Sequence, residues 1–425
     1  MSGNIISLKI LFIYGILAQN SLGLSPVIFI PGDGGAQIEA KLNKTSVVHY
    51  ICAKTSNDFF NIWLNLELLV PFVIDCWVDN LRLEYDNVTR TTRNPDGVET
   101  RIPGWGMSES VEWLDPSHDK TGAYFNTIAD SLVGKVGFKR NVSILGAPYD
   151  FRKAPNENSE FFVNFKTLVE DTYTANNKTP VTLIVHSMGG LMAMQFLRLQ
   201  PQSWKDQYIR RMISLSTPWA GSMKAIKVFA IGDDLGSRML RESIMRTQQI
   251  TCPSLAWLLP SPLLWAPDEV LVQTDKFNYT IQHLQKLFSD MELPNAWEMR
   301  KDVEKYILDI TAPGVEVHCI YGYNISTVER LVYQPGKWLD GYPTLATGDG
   351  DGTVNLRSLA ACEHWRKRRL IAKSNADLEK VTRVARSRTG NTCKLVKAIP
   401  LANAEHLKIL HDQRVIDYIN IVMKQ

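Results

Sequence analysis

Val181-Thr182-Leu183-Ile184-Val185-His186-Ser187-Met188-Gly189-Gly190-Leu191-Met192-Ala193-Met194 decides how this chain is read. An apolar run, Val181–Val185, stops at a turn of small residues, and a helix-like run begins at Leu191. Strand, tight turn and helix around a serine form a nucleophile elbow. Its chemistry needs the serine lifted clear of a sheet on a strained turn. Small flanking residues let the helix pass close to the strand, and the helix N-terminus favours negative charge developing at a carbonyl. Ser187 is therefore the candidate nucleophile, and the neighbouring His186 is expected to point away from it. The elbow departs from G-x-S-x-G at its first position, which is Val185.

Outward from the elbow, short β-rich runs alternate with helical patterns. Val27–Ile30, Ser143–Leu145, Val181–Val185, Met212–Leu215 and Val317–Tyr321 read as core strands, and 161–176 and 191–199 read as helices. The alternation predicts an α/β fold on a mainly parallel sheet. Segments 48–80 and 222–300 interrupt it; rich in Trp and Leu, they read as appended subdomains.

On such a fold the acid and the histidine follow the serine in chain order. Gly348-Asp349-Gly350-Asp351-Gly352-Thr353-Val354 supplies the acid. Asp351 is favoured over Asp349 because it directly precedes Gly-Thr-Val. The loop lacks the spaced acceptors and terminal Glu of a calcium-binding EF-hand. Of eight histidines, only His364, His406 and His411 come after this acid. His364 follows too soon and His411 falls within a helical stretch, 407–422. His406, in the loop Asn403-Ala404-Glu405-His406, is the candidate base. An oxyanion hole needs two backbone N–H donors. Met188 follows the nucleophile, and Asp33 lies in Pro31-Gly32-Asp33-Gly34-Gly35 after the first strand. This set requires neither a metal nor an organic cofactor, and it argues against a purely non-catalytic lipid-binding module.

Composition bounds the rest. The chain has 425 residues, 45% of them hydrophobic and 21% charged, so it can bury a large core and is not a disordered protein. The net charge of +3 is too small to argue for a nucleic-acid partner. Much of the basic character sits in 365–394, where ten Lys and Arg face only Asp377 and Glu379. That insertion reads as a solvated segment or a docking patch for anionic lipid. Residues 1–23 read as a signal peptide: Lys9, the apolar run Ile10–Ala18, then small residues at Ser21 and Gly23. The hydrolase domain is expected to occupy 24–425. Six N-x-S/T sequons, at Asn43, Asn87, Asn141, Asn177, Asn278 and Asn324, agree with a secretory route and a glycosylated product. The six cysteines fit an oxidising compartment, without any C-x-x-C pair. No later run has 18 uninterrupted apolar residues, so no membrane span is expected.

Several motifs together resemble the lecithin–cholesterol acyltransferase family, and within it the lysosomal phospholipase A branch. They are Ile30-Pro31-Gly32-Asp33-Gly34-Gly35-Ala36-Gln37-Ile38-Glu39-Ala40-Lys41-Leu42, Ile62-Trp63-Leu64-Asn65-Leu66-Glu67-Leu68-Leu69, Gly146-Ala147-Pro148-Tyr149-Asp150-Phe151-Arg152, His186-Ser187-Met188-Gly189 and Gly348-Asp349-Gly350-Asp351-Gly352-Thr353-Val354-Asn355. The resemblance runs from about residue 26 to the C-terminus. It implies an α/β-hydrolase with a membrane-binding subdomain at 48–80 and a cap or lid at 222–300. It also implies a lumenal serine phospholipase and acyltransferase that moves fatty acyl chains from glycerophospholipids to water or to a lipid alcohol such as ceramide. A secreted enzyme with a sterol acceptor is the alternative. Carried over by motif, Ser187, Asp351 and His406 form the triad, and Asp33 and Met188 the oxyanion hole. Cys52 pairs with Cys76, bracing the membrane-binding subdomain, and Cys319 with Cys362, as in the plasma branch. The implied partner is a phospholipid membrane surface, and the implied location is the lysosome lumen. The segment 59–71 is read at helical spacing, with Trp63, Leu66, Leu68 and Leu69 as its membrane-binding residues. The basic insertion 365–394 lengthens the stretch between Asp351 and His406 beyond the family's expected spacing.

Overall fold

Alternate residues of Val27–Ile30 (β1) face opposite cores: Ile28 and Ile30 one, Val27 and Phe29 the other, all fully buried. A strand covered on both sides reads as a continuous apolar run. The computed structural model describes residues 23–234, 241–365 and 395–425. In it, β1 joins Ile144–Gly146 (β2), Val181–His186 (β3), Ile209–Leu215 (β4), Val317–Tyr323 (β5) and Val396–Ala402 (β6). The spatial order is β6-β5-β4-β3-β1-β2 and every neighbouring pair is parallel. The first five strands match the reading from sequence, with boundaries shifted by up to three residues. The sixth was missed because Lys397 and Pro400 interrupt its apolar run. It pairs only with β5, and an outer strand tolerates a proline that a central one does not.

One face of the sheet packs on Ser159–Ala175 and Met188–Leu199 through Phe161, Phe165, Leu191 and Phe196. The other packs on Asn126–Ser131 and Gln413–Met423, where Phe125 stacks on Phe29 with ring centroids 4.5 Å apart. The C-terminal helical stretch expected over 407–422 is divided. A short 3-10 turn, Lys408–His411, ends at Asp412, whose carboxylate accepts the N–H of Arg414 and caps the helix Gln413–Met423. Helices on both faces of a parallel sheet make the α/β-hydrolase arrangement. From β1 the chain runs outward to β2, then returns across β1 to β3, and the helices that follow β1 and β3 pack on opposite faces of the sheet. A crevice opens at such a switch point, outside the carboxyl ends of the strands.

Two insertions interrupt the α/β alternation. In the first, Ile38–Leu42 pairs antiparallel with Phe60–Trp63 and with Val98–Arg101, and Val73–Leu81 forms a helix. The Cys52–Cys76 disulfide ties that helix to the preceding loop, with Cα atoms 5.4 Å apart. The helix expected over 59–71 is absent. Its first part is the strand Phe60–Trp63, and only Leu66–Leu69 turns, as a 3-10 helix. Strand pairing wins at one end. At the other, asparagines compete for the backbone: the Asn61 amide donates to the Leu64 carbonyl, and the Asn65 side chain both donates to the Asn61 carbonyl and accepts from the Glu67 N–H.

The second insertion, from 222, does not close at 300. Its strands Val270–Gln273 and Asn278–Thr280 form one four-stranded sheet with the hairpin Ile325–Val332/Thr344–Gly350. Cys319 and Cys362 are bonded, joining β5 to the turn Ala360–Trp365, and Cys252 is a buried free thiol. All six sequon asparagines are exposed. No helix among the described residues is long and apolar enough to cross a membrane. The expected signal peptide (except Gly23), the basic insertion after Trp365 and Cys393 lie outside the described residues.

Candidate active site

Ser187 follows β3 directly and takes φ 51°, ψ −129°, a conformation that costs an L-residue energy and is characteristic of a nucleophile held out on a tight turn. Its N–H is tied to the Leu215 carbonyl at the end of β4. The following helix passes so close to β1 that a Cβ on Gly189 would lie 2.3 Å from the Pro31 carbonyl oxygen. The small residues that the elbow requires are therefore Gly189 and Gly190 on the helix side. The bulkier Val185 fits because its side chain is buried in the sheet–helix core.

The three residues selected by chain order meet. His406 Nε2 lies 2.9 Å from Ser187 Oγ, and His406 Nδ1 lies 2.7 Å from Asp351 Oδ2. The other oxygen of Asp351 accepts the N–H groups of Val354 and Thr353, at 2.8 and 3.1 Å. Burial raises the carboxyl's pKa, but the adjacent His406 and these hydrogen bonds outweigh it, and the group sits below the usual carboxylate range. A carboxylate so held fixes Nδ1 as the protonated nitrogen and leaves Nε2 to receive a proton from serine. Asp349 is exposed and accepts the N–H of Asn324 instead. Of the other histidines, His411 pairs with Thr127 and His364 is exposed, so neither reaches Ser187.

His186 turns away from the serine, as expected. Its Nε2 lies 2.9 Å from the His406 carbonyl oxygen and its Nδ1 faces the Tyr124 hydroxyl. Burial, then the neighbouring His406, push its pKa down to about 3, so it stays neutral.

The glycine-rich loop after β1 lies against the elbow: a Cβ on Gly32 would come within 2.7 Å of Ser187 Cβ. Gly34, at φ +69°, makes the turn, and the Gly35 N–H closes it on the Gly32 carbonyl. Met188 is the first residue of its helix, so its N–H has no acceptor within the helix. Asp33 is exposed, and Lys224 and Asp233 act on its carboxyl. Desolvation there dominates and pushes its pKa up to about 7, with Lys224 opposing.

Trp63 corrects the reading from sequence. It is 7% exposed, and its indole N–H donates to the Gly34 carbonyl at 2.7 Å, bracing the glycine-rich loop after β1 from inside. Leu68 and Leu69 are half-buried against the core, whereas Leu66 is exposed. Two further residues at this site escaped the sequence reading. Tyr124 carried no periodic or motif signal. Arg152 is wholly buried, paired with Asp150, and donates to the Leu81 carbonyl and Thr100 Oγ1, joining the first insertion to the core. Its only signal was its place in Gly146–Arg152.

The family model described as lecithin:cholesterol acyltransferase matches residues 59–309 and 306–413. The "lysosomal phospholipase A and acyltransferase" of Homo sapiens is 45% identical over 343 residues, covering 81% of this chain and 82% of the relative. The "phosphatidylcholine-sterol acyltransferase" of Mus musculus is 35% identical over 406 residues, covering 96% and 86%. Among solved structures, a chain of the Tle4–Tli4 complex aligns over 94% of this chain and 98% of its own, with a TM-score of 0.47 and 14% identity.

Proposed function

The chain belongs to the lecithin:cholesterol acyltransferase family, and from that premise we propose that it is a lysosomal serine phospholipase A and acyltransferase. The observation that carries this reading is the continuous hydrogen-bonded line Ser187–His406–Asp351 at the switch-point crevice. Ser187 Oγ attacks the ester carbonyl of a glycerophospholipid while His406 Nε2 takes its proton. Asp351 orients the imidazole and stabilises its charged form. The N–H groups of Met188 and Asp33 hold the oxyanion. As the carbonyl re-forms, the C–O bond to the glycerol breaks, and the leaving oxygen takes the proton from His406. Acyl-Ser187 then yields to water or to a lipid alcohol such as ceramide, activated by the same histidine.

Access to lipid is assigned to the first insertion, in a corrected form. The apolar surface offered to a phospholipid membrane is Leu66, Val70 and Phe72, with Val48, Tyr50 and Ile51 of the loop that the disulfide ties alongside. The second insertion, from 222, acts as the cap. Six exposed sequons support passage through the secretory route.

The deciding experiment is product analysis from phosphatidylcholine–ceramide liposomes at acidic and neutral pH. Free fatty acid and acylceramide, with an acidic preference, are the expected products. A second reading, transfer to a sterol, is favoured by the Cys319–Cys362 disulfide that resembles the plasma branch. Sterol ester as the main product at neutral pH would support it instead. Neither product from either acceptor rejects both.

A further inference from the structure

Between the oxyanion loop and the catalytic histidine stands a buried phenol. Tyr124 is 2% exposed and lies just before the helix Asn126–Ser131. Its oxygen is 3.0 Å from the Gly32 backbone nitrogen and in hydrogen-bond contact with His186 Nδ1. His186 Nε2 in turn lies 2.9 Å from the His406 carbonyl oxygen. The direction of every proton follows from these partners. A peptide carbonyl only accepts, so Nε2 carries the proton of His186. A neutral imidazole then accepts at Nδ1, and the phenol has one proton, which goes there. The phenol oxygen is left to accept the Gly32 N–H. One chain therefore runs Gly32 N–H to Tyr124 O–H to His186 Nδ1, and His186 Nε2–H to the His406 carbonyl.

We propose that Tyr124, acting through His186, is a positioning residue that sets the oxyanion loop in register with the catalytic histidine. Three independent features point the same way. The His406 peptide is held at both ends: its N–H donates to the Asp351 carbonyl, and its C=O takes the far end of the chain from Tyr124. The loop is cut to fit the phenol, since a Cβ on Gly35 would lie 2.8 Å from the Tyr124 oxygen and one on Gly32 would lie 3.2 Å from it. No member of the chain changes charge at working pH: burial raises the phenol far above its ordinary value and holds His186 near 3. The chain thus works as a fixed strut. It locks the Pro31–Gly32 peptide, one peptide ahead of the Asp33 N–H, and leaves that N–H to the oxyanion. The inference rests on the assignment of Asp33 and Met188 as oxyanion donors.

Tyr124→Phe tests it. The change removes one oxygen, keeps the ring, and leaves the Gly32 N–H and His186 Nδ1 without partners in a buried site. The readout is kcat and KM on a soluble ester, p-nitrophenyl butyrate, and on its thiono counterpart, whose C=S builds charge on sulfur and fits an oxygen-sized hole poorly. Tyr124→Phe is expected to lower kcat on the oxo ester by about tenfold or more, short of the roughly 10²–10³ lost when a donor is deleted outright. KM should stay nearly constant and the thiono ester should respond little, so the oxo/thiono ratio shrinks. A merely structural role would lower both esters in parallel, and that result overturns the proposal, as does an unchanged ratio. If Tyr124→Phe does not accumulate, the comparison moves to His186. Gln offers an oxygen to Tyr124 and an N–H to the His406 carbonyl, so His186→Gln should recover most of the ratio lost in His186→Leu; equal loss in both overturns the strut. A wild-type protein with no preference for the oxo ester defeats the oxyanion assignment itself. A preference that survives Tyr124→Phe defeats only the positioning role.

Discussion

Ser187, His406, Asp351, His186 and Tyr124 each have a polar partner, and all but Ser187 and His406 are almost wholly buried. The region around the Cys52–Cys76 disulfide, 48–72, differs: Tyr50 is 90% exposed and Phe72 72%, with Val48, Ile51, Leu66 and Val70 also open to solvent. Polar groups buried and satisfied in the crevice fix one geometry, whereas apolar groups left uncovered mark a surface that is completed by something else. Chemistry that must hold distances of 2.7–2.9 Å constrains residue type, chain order and backbone together. A surface that must only be apolar and accessible constrains little beyond composition.

The strongest way to break the comparison is at the nucleophile. Ser187→Ala should remove hydrolysis and acyl transfer together, each by three or more orders of magnitude, because both pass through one acyl-enzyme. Product analysis from the same liposomes checks this. Transfer to ceramide surviving at a tenth of wild type would sink the shared intermediate.

Next in size is the link that holds the exposed segment in shape. Cys52→Ser opens the disulfide and should cost about 2–5 kcal/mol, seen as a lower Tm in calorimetry. The crevice should keep its chemistry below that melting point. Vesicle binding should fall even there, since the loop bearing Tyr50 and Ile51 is no longer held beside the helix Val73–Leu81. Unchanged vesicle binding would separate the disulfide from the lipid surface.

The difference between the two regions also explains what was legible. The elbow, the acid and the base were readable because chain order removed rivals: only three histidines follow Asp351, and one of them sits in a loop. The central strands were readable because double burial leaves a continuous apolar run, as in Val181–His186. β6 was not, since Lys397 and Pro400 mask an outer strand. Segment 59–71 was misread for a different reason. Apolar residues recur there at helical spacing, yet Phe60–Trp63 is claimed by pairing with Ile38–Leu42, a contact that local periodicity does not carry. Trp63 reads from sequence as a membrane anchor but is a buried brace for the glycine-rich loop after β1; nothing at sequence level tells a buried tryptophan from an inserted one. Tyr124 was invisible because its hydroxyl makes two bonds, to Gly32 and His186, that local sequence does not carry.

A smaller effect concerns pH. Desolvation, against the pull of Lys224, pushes the Asp33 carboxyl up to about 7. Below that value the side chain is neutral. Above it a carboxylate forms beside the N–H groups proposed to hold the oxyanion, and like charges oppose each other there. Activity on a soluble ester should therefore fall as pH rises through about 7, by roughly tenfold per unit once ionisation is complete if only the protonated form works. Asp33→Asn cannot ionise and should flatten that limb. Stability has the same sign. The folded state keeps the Asp33 proton to a higher pH than the unfolded chain does, so its share of stability is present at acidic pH and is lost between the ordinary carboxylate range and about 7. An alkaline limb unchanged in Asp33→Asn would assign the pH dependence elsewhere.

The finest division lies within the apolar segment itself. Leu68 and Leu69 are half-buried and touch the core, whereas Leu66 and Phe72 stand in solvent at 44% and 72% exposure. If the exposed pair is the lipid contact, Leu66→Ser with Phe72→Ser should weaken binding to phosphatidylcholine vesicles by roughly tenfold or more, since burying each such side chain is worth about 1.5–3 kcal/mol. The Tm and the hydrolysis of a soluble ester should hardly change, because neither side chain packs in the folded core. Leu68→Ser with Leu69→Ser should behave differently, lowering Tm as well as vesicle binding, because those side chains serve both the core and the surface. Flotation of each variant with vesicles, beside its melting curve, separates the two outcomes. Equal Tm losses in both pairs would make the whole turn part of the core, and undiminished flotation of Leu66→Ser/Phe72→Ser would move the lipid contact away from it.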